Sequence, residues 1–373
     1  MNLFSHLSEE EDREFLSRQI LTCIGNKRAL LGPIADAIGV VRKALGGGKM
    51  RCFDLFSGSG IVSRLFKQFA SLVVACDQER YASVVSRCYL SNRRVLAEKE
   101  FANCFEEWKN WVEKNLEPGF LTRLYAPAND ADIQPGERAF YTRANAEILD
   151  TARRALDRIV PPRYADLLLG PLLSEASIHA NTSGVFKGFY KNRKGTGAFG
   201  GEGRNALTRI CGKVVLQHPV LSRFDCDSLV LEGDANALAA TAPEVDLAYV
   251  DPPYNQHPYG SNYFMLNLLA DYREPDAVSP VSGIPRNWNR SVYNSRKEAA
   301  PAFFSLLETI RAKYLLVSYN SEGFIPHAEL EACLARLGQV TSTAISYNTF
   351  RGSRNLRARA PRVIEYLFLV KRA

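Results

Sequence analysis

Phe53-Asp54-Leu55-Phe56-Ser57-Gly58-Ser59-Gly60 reads as a short apolar strand running into a glycine turn, and the segment behind it, Ile61 to Phe69, has the character of a helix. Glycines in such a turn let the backbone come close to a ligand, and the amides that open the helix can bind polar or anionic groups. Taken alone, the turn fits a phosphate cradle or a plain strand-to-helix connection equally well. The next apolar strand, Leu72-Val73-Val74-Ala75-Cys76, ends in Asp77. An acid at the tip of the second strand of a nucleotide-binding βαβ unit meets ribose hydroxyls. Position 63 is Ser, so the full GxGxxG fingerprint is absent, and no GxxxxGK loop follows. Dinucleotide and ATP readings therefore lose ground to an adenosine cofactor without a pyrophosphate, namely S-adenosylmethionine.

Working outward from this βαβ start, the chain divides into three zones. Residues 1–95 alternate helix and strand, with a turn at Gly25 to Lys27, a helix through Leu30 to Leu45, and Gly46-Gly47-Gly48 leading into the first strand. Residues 96–225 change character: helical stretches around Phe105 to Asn115 and Ala144 to Ile159 precede a Gly-rich basic stretch, as expected of an inserted region. From residue 226 onward, apolar strands return at Val230, Leu247 to Val250, Tyr314 to Ser318 and Ile364 to Val370. They are separated by helices over Asn262 to Tyr272, Pro301 to Ala312 and Ala328 to Leu337. The predicted fold is α/β, a Rossmann-like doubly wound, mostly parallel sheet with an antiparallel element at its C-terminal edge and an inserted, mainly helical and loop-rich domain. In such sheets the ligand crevice lies at the carboxyl ends of the strands, and Asp54, Asp77, Asp234 and Asp251 all fall at strand ends.

The strand Val245 to Val250 delivers Asp251-Pro252-Pro253-Tyr254. Asp-Pro-Pro also occurs in ordinary turns; behind a cofactor crevice it suits work on an exocyclic amine. An amino group conjugated to a heteroaromatic ring is a poor nucleophile, so an enzyme must hold both of its hydrogens with acceptors. Asp251 supplies one acceptor and the Pro252 carbonyl the other, in a turn where two prolines remove competing N–H donors. Tyr254 offers a ring face on which a flipped base can stack.

With these elements in this order the chain resembles the alpha-group, Dam-like DNA adenine N6-methyltransferases. The resemblance implies a methyltransferase fold and S-adenosylmethionine as cofactor. Cys23-Ile24-Gly25-Asn26-Lys27-Arg28 looks like the family's Gly-x-Lys element, whose lysine approaches the methionine end of the cofactor. Cys23 stands where relatives commonly carry an aromatic residue. The Asp-x-Phe-x-Gly-x-Gly element falls on Asp54, Phe56, Gly58 and Gly60, the ribose acid on Asp77, and Asp234 is a candidate for the adenine edge of the cofactor. Asp251, Pro252, Pro253 and Tyr254 form the catalytic element, with Asp251 also touching the cofactor site. The inserted region takes the place of the family's target-recognition domain. Ser346-Tyr347-Asn348-Thr349-Phe350 looks like a late element near the target-base pocket; a hairpin edge fits it as well.

Composition agrees. The 373 residues carry 47 Lys and Arg against 40 Asp and Glu, a net charge of +7, which favours a polyanionic partner. Three basic segments interleaved with aromatics and amides are candidates for DNA contacts: Lys187, Tyr190, Lys191, Asn192, Arg193, Lys194 and Arg204 in the insertion; Arg286, Arg290, Arg296 and Lys297; and Arg351, Arg354 and Arg357. The glycines at 195, 197, 200, 201 and 203 suggest a loop that orders on DNA. The eight cysteines form no CxxC pair, so reduced thiols and no metal are expected. Ser8-Glu9-Glu10-Glu11 begins like a capped helix with Glu11 at the capping-box position, and no apolar run is long enough to span a membrane. The expected partner is double-stranded DNA, bound by a cytoplasmic monomer in a restriction-modification or orphan modification setting. N4-cytosine methylation competes, although relatives doing that often carry Ser in place of Asp251. RNA or protein-glutamine methylation, where relatives usually begin the tetrad with Asn, and a non-catalytic DNA-binding subunit are the further alternatives. A binding-only chain has no reason to keep a cofactor pocket and an amine clamp together.

Overall fold

The computed structural model describes residues 10–348 and 362–373. Seven strands form one sheet: β1 (Met50–Asp54), β2 (Ala70–Asp77), β3 (Asp227–Glu232), β4 (Val245–Val250), β5 (Ala312–Asn320), β6 (Gly338–Asn348) and β7 (Arg362–Arg372). Their order is β3-β2-β1-β4-β5-β7-β6. The first five are parallel, while β7 runs antiparallel to both β5 and β6. This is the doubly wound, mostly parallel architecture expected from the sequence.

The period of two along a strand separates two cores. Cys52, Val73, Ala75, Leu247, Tyr249 and Leu316 join one buried cluster, whereas their neighbours Phe53, Val74, Cys76, Ala248, Val250, Leu315 and Val317 join another on the opposite face. Burial on both faces is why the central strands read as unbroken apolar runs. The edge strand β3 is more exposed and carries Asp227 and Glu232, as suits an edge that must not recruit another chain.

Between the helix Arg80–Leu90 and β3, the insertion contributes the helices Lys99–Lys114, Phe120–Tyr125, Arg143–Ile159 and Pro162–Ile178. The last was not legible, because Gly170-Pro171 reads as a break. Gly170 lets this helix lie against Arg80–Leu90 so closely that an added Cβ would sit 2.6 Å from Cys88 Sγ. The insertion therefore shares the first core rather than making its own. Asp150, fully buried, accepts from the backbone N–H groups of Gly119, Leu121 and Thr122 and from the hydroxyls of Thr122 and Tyr272, fastening the start of Phe120–Tyr125.

Two local expectations are corrected. The helix Arg13–Ser17 is capped by Asp12, whose side chain accepts from Glu14 N. Glu11 precedes that helix, and its carboxylate accepts from Ser222 Oγ and Arg223 N, tying this segment to the end of the insertion; Ser8 lies outside the described residues. The segment Asn262 to Tyr272 is two helices, Tyr259–Asn262 and Phe264–Asp271, ended by Tyr272 in the left-handed conformation. Among the described residues no helix is long and apolar enough to cross a membrane.

Candidate active site

The glycine turn after β1 is built by its own hydrogen bonds. Ser57 N donates to Cys76 O on β2 and Gly60 N closes back to Ser57 O. Gly58 and Gly60 sit at φ 50° and 71°, the left-handed region that a β-carbon disfavours. Asp77 locks the turn in place: its Oδ2 accepts from Gly58 N at 2.7 Å and its Oδ1 from Glu79 N at 2.9 Å. Ser63, at the position where a dinucleotide fingerprint has glycine, donates its hydroxyl to Asp54 Oδ2 at 2.6 Å. The other oxygen of Asp54 is buried without a partner.

Asp234 caps the helix Ala235–Thr241, accepting from Ala237 N. Lys27 opens the 3-10 turn Lys27–Leu30, which Asn26 caps. Its ammonium reaches the end of β4, 2.8 Å from Asp251 Oδ2, and lies 3.3 Å from Glu365 Oε1. Asp251 Oδ1 is left without a hydrogen-bond partner.

These groups share one cleft of about 920 Å³, open mouth included, lined by Lys27, Asp54, Phe56, Gly58, Asp77, Glu79, Asp234 and Asp251 among others. Asp54, Asp77, Asp234 and Asp251 thus converge as strand-end placement predicted, with Gly58 beside them. Gly60 sits in the same turn.

A second, smaller hollow adjoins the cleft, sharing Ile24, Pro253 and Tyr259 with it and adding Tyr254, Asn255, His257 and Asn262. Asn262 is 2% exposed and its Oδ1 lacks a partner. Pro252 is buried, and among the described residues no donor is bonded to its carbonyl. The Tyr254 ring lies edge-on to Tyr319 and 6.0 Å from Lys27 Nζ. Its backbone carbonyl accepts from Phe324 N.

Sequence reasoning missed the fourth wall. Asn289, Ser291, Tyr293 and Asn294, in a stretch read as a candidate DNA contact, form a strap along the cleft. Asn289 Nδ2 donates to Gln78 O, and Gln78 Nε2 donates back to Arg290 O. Tyr293 meets Phe56 edge to face at 5.2 Å and donates its hydroxyl to Asn236 Oδ1. Asn294 Nδ2 donates to Asn255 O, just beyond the Asp-Pro-Pro-Tyr turn. Amides in a basic segment look alike whether they face phosphate or cofactor, so no sequence signal separates them.

Burial drives the electrostatics. It pushes Asp251 up to about 6 against the pull of Lys27, with Glu365 adding to the rise. It pushes Asp54 to about 7 despite the Ser63 hydroxyl, Asp77 to about 6 despite its backbone donors, and Glu79 to about 7. Burial works against the Lys27 ammonium, but Asp251 and Glu365 override it and hold lysine well above its usual range. Lys27 pairs with Asp251 and Glu365, while Asp54, Asp77, Glu79 and Asp234 line the same cleft, and Asp54 and Asp251 each keep an unpartnered oxygen, a donor set suited to a cationic ligand.

A family model described as D12 class N6 adenine-specific DNA methyltransferase matches residues 24–195 and 223–325, which include the glycine turn, the helical part of the insertion and the Asp-Pro-Pro-Tyr turn. The chain belongs to this family. The methyltransferase is 30% identical over 332 residues to the type II methyltransferase M.NlaIII of Neisseria lactamica, covering 86% of this chain and 90% of that one. It is 28% identical over 325 residues to M.CviAII of Paramecium bursaria Chlorella virus 1, covering 85% and 89%. The match to M.FokI of Planomicrobium okeanokoites, 26% identical, covers 86% of this chain and 48% of that one. As a D12 class enzyme it is an adenine-N6 DNA methyltransferase, and the family implies a cofactor of the S-adenosylmethionine type.

The methyltransferase exposes Lys187, Lys191, Arg193, Lys194 and Arg204 on the insertion loop and Arg286, Arg290, Arg296 and Lys297 beside the strap. Tyr190 and Asn192 are half-buried, and the Asn192 side chain accepts from Lys194 N and Thr196 N within the loop. The loop is held without DNA: buried Asn181 donates to Ala139 O and Ala198 O and accepts from Gly200 N, while Arg209 clamps the carbonyls of Ile178, Ala180 and Thr182. Phe186 N donates to Asn262 O, joining the loop to the smaller hollow, and Arg296 stacks on Phe324 near Tyr254. Arg351, Arg354, Arg357, Thr349 and Phe350 lie outside the described residues.

The raised acids predict a pH-dependent cofactor affinity. Because their pKa values lie above the ordinary carboxylate range, Asp54, Asp77, Glu79 and Asp251 are partly protonated near pH 6, and a cationic ligand favours their ionised forms. Binding then releases protons, and the Kd for S-adenosylmethionine is expected to rise by about tenfold from pH 8 to pH 5.5. Titration calorimetry in two buffers of different ionisation enthalpy checks this; a Kd independent of pH contradicts it.

Proposed function

We propose that the cleft binds S-adenosylmethionine and that the adjoining hollow receives a flipped-out adenine of duplex DNA, whose amino group is held by Asp251 Oδ1 and the Pro252 carbonyl. The carrying observation is the unpartnered Asp251 Oδ1 in the cleft beside the wall that the two cavities share. A buried acceptor without a donor is disfavoured unless a ligand supplies one. Lys27 supports this by occupying Oδ2, which leaves Oδ1 for the amine. Tyr254 offers the stacking face and Pro253 part of the wall, while the Asn262 amide is placed to meet a base edge.

Gly58 and Gly60 let the turn approach the cofactor, and Asp54 Oδ1 is a free acceptor for its ammonium. Asp77 serves the ribose, Asp234 the adenine edge, and Phe56, braced by Tyr293, gives an apolar wall. When bound, S-adenosylmethionine supplies the methyl group in an electrophilic form. The protein's part is positioning and electrostatics, with both reacting groups held against one carboxylate and no covalent enzyme step.

Residues 1–95 and 226–373 make the methyl-transfer body in this reading, and residues 96–225 the target-recognition region. Lys187, Tyr190, Lys191, Arg193, Lys194 and Arg204, with Asn192 shaping the loop, then face DNA together with Arg286, Arg290, Arg296 and Lys297. Relatives named type II methyltransferases and modification methylases favour a restriction-modification setting; in this reading the enzyme acts on DNA as a cytoplasmic monomer beside a restriction endonuclease. Incubation with radiolabelled S-adenosylmethionine and duplex DNA or RNA, followed by digestion to nucleosides, tests the reading. Label is expected in N6-methyladenine from the duplex; label in N4-methylcytosine, in RNA alone or nowhere rejects it.

A further inference from the structure

We propose that Glu365 is a positioning residue for methyl transfer: it anchors the Lys27 ammonium so that Lys27 occupies Asp251 Oδ2 and leaves Oδ1 to the target amine. The proposal rests on Asp251 being the amine acceptor. Glu365 lies on β7, outside the residues that the family model matches. It is fully buried, as Lys27 nearly is at 5% exposure, whereas Asp251 keeps 15% on the cleft side.

The two carboxylates are held unequally. Glu365 Oε1 accepts from Ser318 Oγ at 2.5 Å and faces Lys27 Nζ, while Oε2 accepts from Asn320 Nδ2 at 3.0 Å. Both of these donors come from β5, and in the β5·β7 register Glu365 pairs with Asn320. Asp251 has Lys27 alone on Oδ2 and nothing on Oδ1. Glu365 is thus the rigid end of the triad and Asp251 the end free to meet substrate. An ammonium carries three donors on a flexible stem. With Glu365 neutralised, Lys27 has one carboxylate left and can spread over both oxygens of Asp251, competing with the adenine amine for Oδ1.

Charge adds a signature that simple packing would not give. Asp251 faces Lys27 from the N-terminal turn, Glu365 from β7, Tyr249 from β4, Tyr254 and Tyr259 from the segment after β4, Asp54 from β1, and Cys23. Glu365 acts on Asp251 as a like charge and helps to hold its carboxyl up. Removing that charge favours the ionised form, so the acid limb of the rate profile moves to lower pH even as the plateau falls.

The test uses the full chain, saturated with S-adenosylmethionine and cognate duplex DNA, with single-turnover rates from pH 5 to pH 9. Glu365→Gln is expected to lower the plateau by about tenfold or more with the cofactor Kd changed by less than about threefold, and to extend the acid limb downward. Lys27→Met leaves Asp251 and Glu365 facing each other unshielded, so adding Glu365→Gln to it should bring no further loss and should recover rate at neutral pH. That second comparison decides the matter even if Glu365→Gln alone folds poorly, because the double variant removes the buried charges together. Additive losses, or an unshifted acid limb with only a lower Tm, overturn the proposal. If Asp251→Ala retains turnover, the amine clamp itself fails; if Asp251→Ala is inactive while Glu365→Gln behaves as wild type, only the role of Glu365 fails.

Discussion

Asp251→Ala is expected to lower the single-turnover methylation rate by about 10²–10³-fold or more, while the dissociation constants for DNA and for S-adenosylmethionine move far less. The substitution removes the carboxylate proposed to meet the amine and leaves the Pro252 carbonyl, the Tyr254 ring and the basic segments in place. It also strips Lys27 of its nearer partner, but Glu365 remains 3.3 Å away, so the ammonium is not left unpaired and the fold should survive. Rapid-quench kinetics on saturated complexes, with binding measured separately, check the prediction. A variant that keeps its rate removes Asp251 from the reaction, and one that loses DNA binding equally makes its role structural.

Gly260→Ala is expected to open the cofactor cleft. Gly260 lies buried in the short helix Tyr259–Asn262, and an added Cβ would stand 2.3 Å from Asn289 O and 3.1 Å from the same residue's backbone N and C. Those are main-chain atoms of the strap, so relief requires the strap to move. That movement breaks the Asn289 bond to Gln78 O and disturbs Tyr293 against Phe56. Overpacking of this kind costs about 1–3 kcal/mol of stability, and the cofactor Kd should weaken by at least about tenfold, a further 1.4 kcal/mol or so. Gly39→Ala is the contrast. Gly39 is exposed in the helix Leu31–Ala44, where a new Cβ meets nothing within 4 Å, and the change should be neutral or stabilise by about 0.5–1 kcal/mol. Thermal unfolding and cofactor titration of both variants check the pair; wild-type behaviour of Gly260→Ala would show that the strap plays no part in cofactor binding.

How much was legible follows from which groups act through local sequence. The glycine turn needs left-handed backbone at Gly58 and Gly60, and the parallel strands need apolar residues on both faces, so both announce themselves in the chain. Asp54, Asp77, Asp234 and Asp251 could be placed because a parallel strand ends where its ligand crevice begins. Glu365 escaped the same rule. Strand β7 is antiparallel, so its beginning rather than its end lies at that edge, and no reading of strand termini reaches it. Lys27 was placed near the cofactor, yet its ammonium is committed to two carboxylates from strands far along the chain. The Gly-rich loop read as one that orders on DNA, whereas buried Asn181, which bonds Ala139 as well as Ala198 and Gly200 of the loop, already holds it.

By itself the sequence determined the α/β class, the strand-end acids, the Asp-Pro-Pro-Tyr turn and the order of the parts, because each rests on backbone conformation or on the periodicity of a single segment. Only the tertiary structure decided which oxygen of Asp251 is free, that the segment Asn289 to Asn294 closes the cleft, and that Glu365 stands behind Lys27. Those facts depend on distances between residues tens to hundreds of positions apart, and a buried charge takes its properties from neighbours in space rather than in sequence.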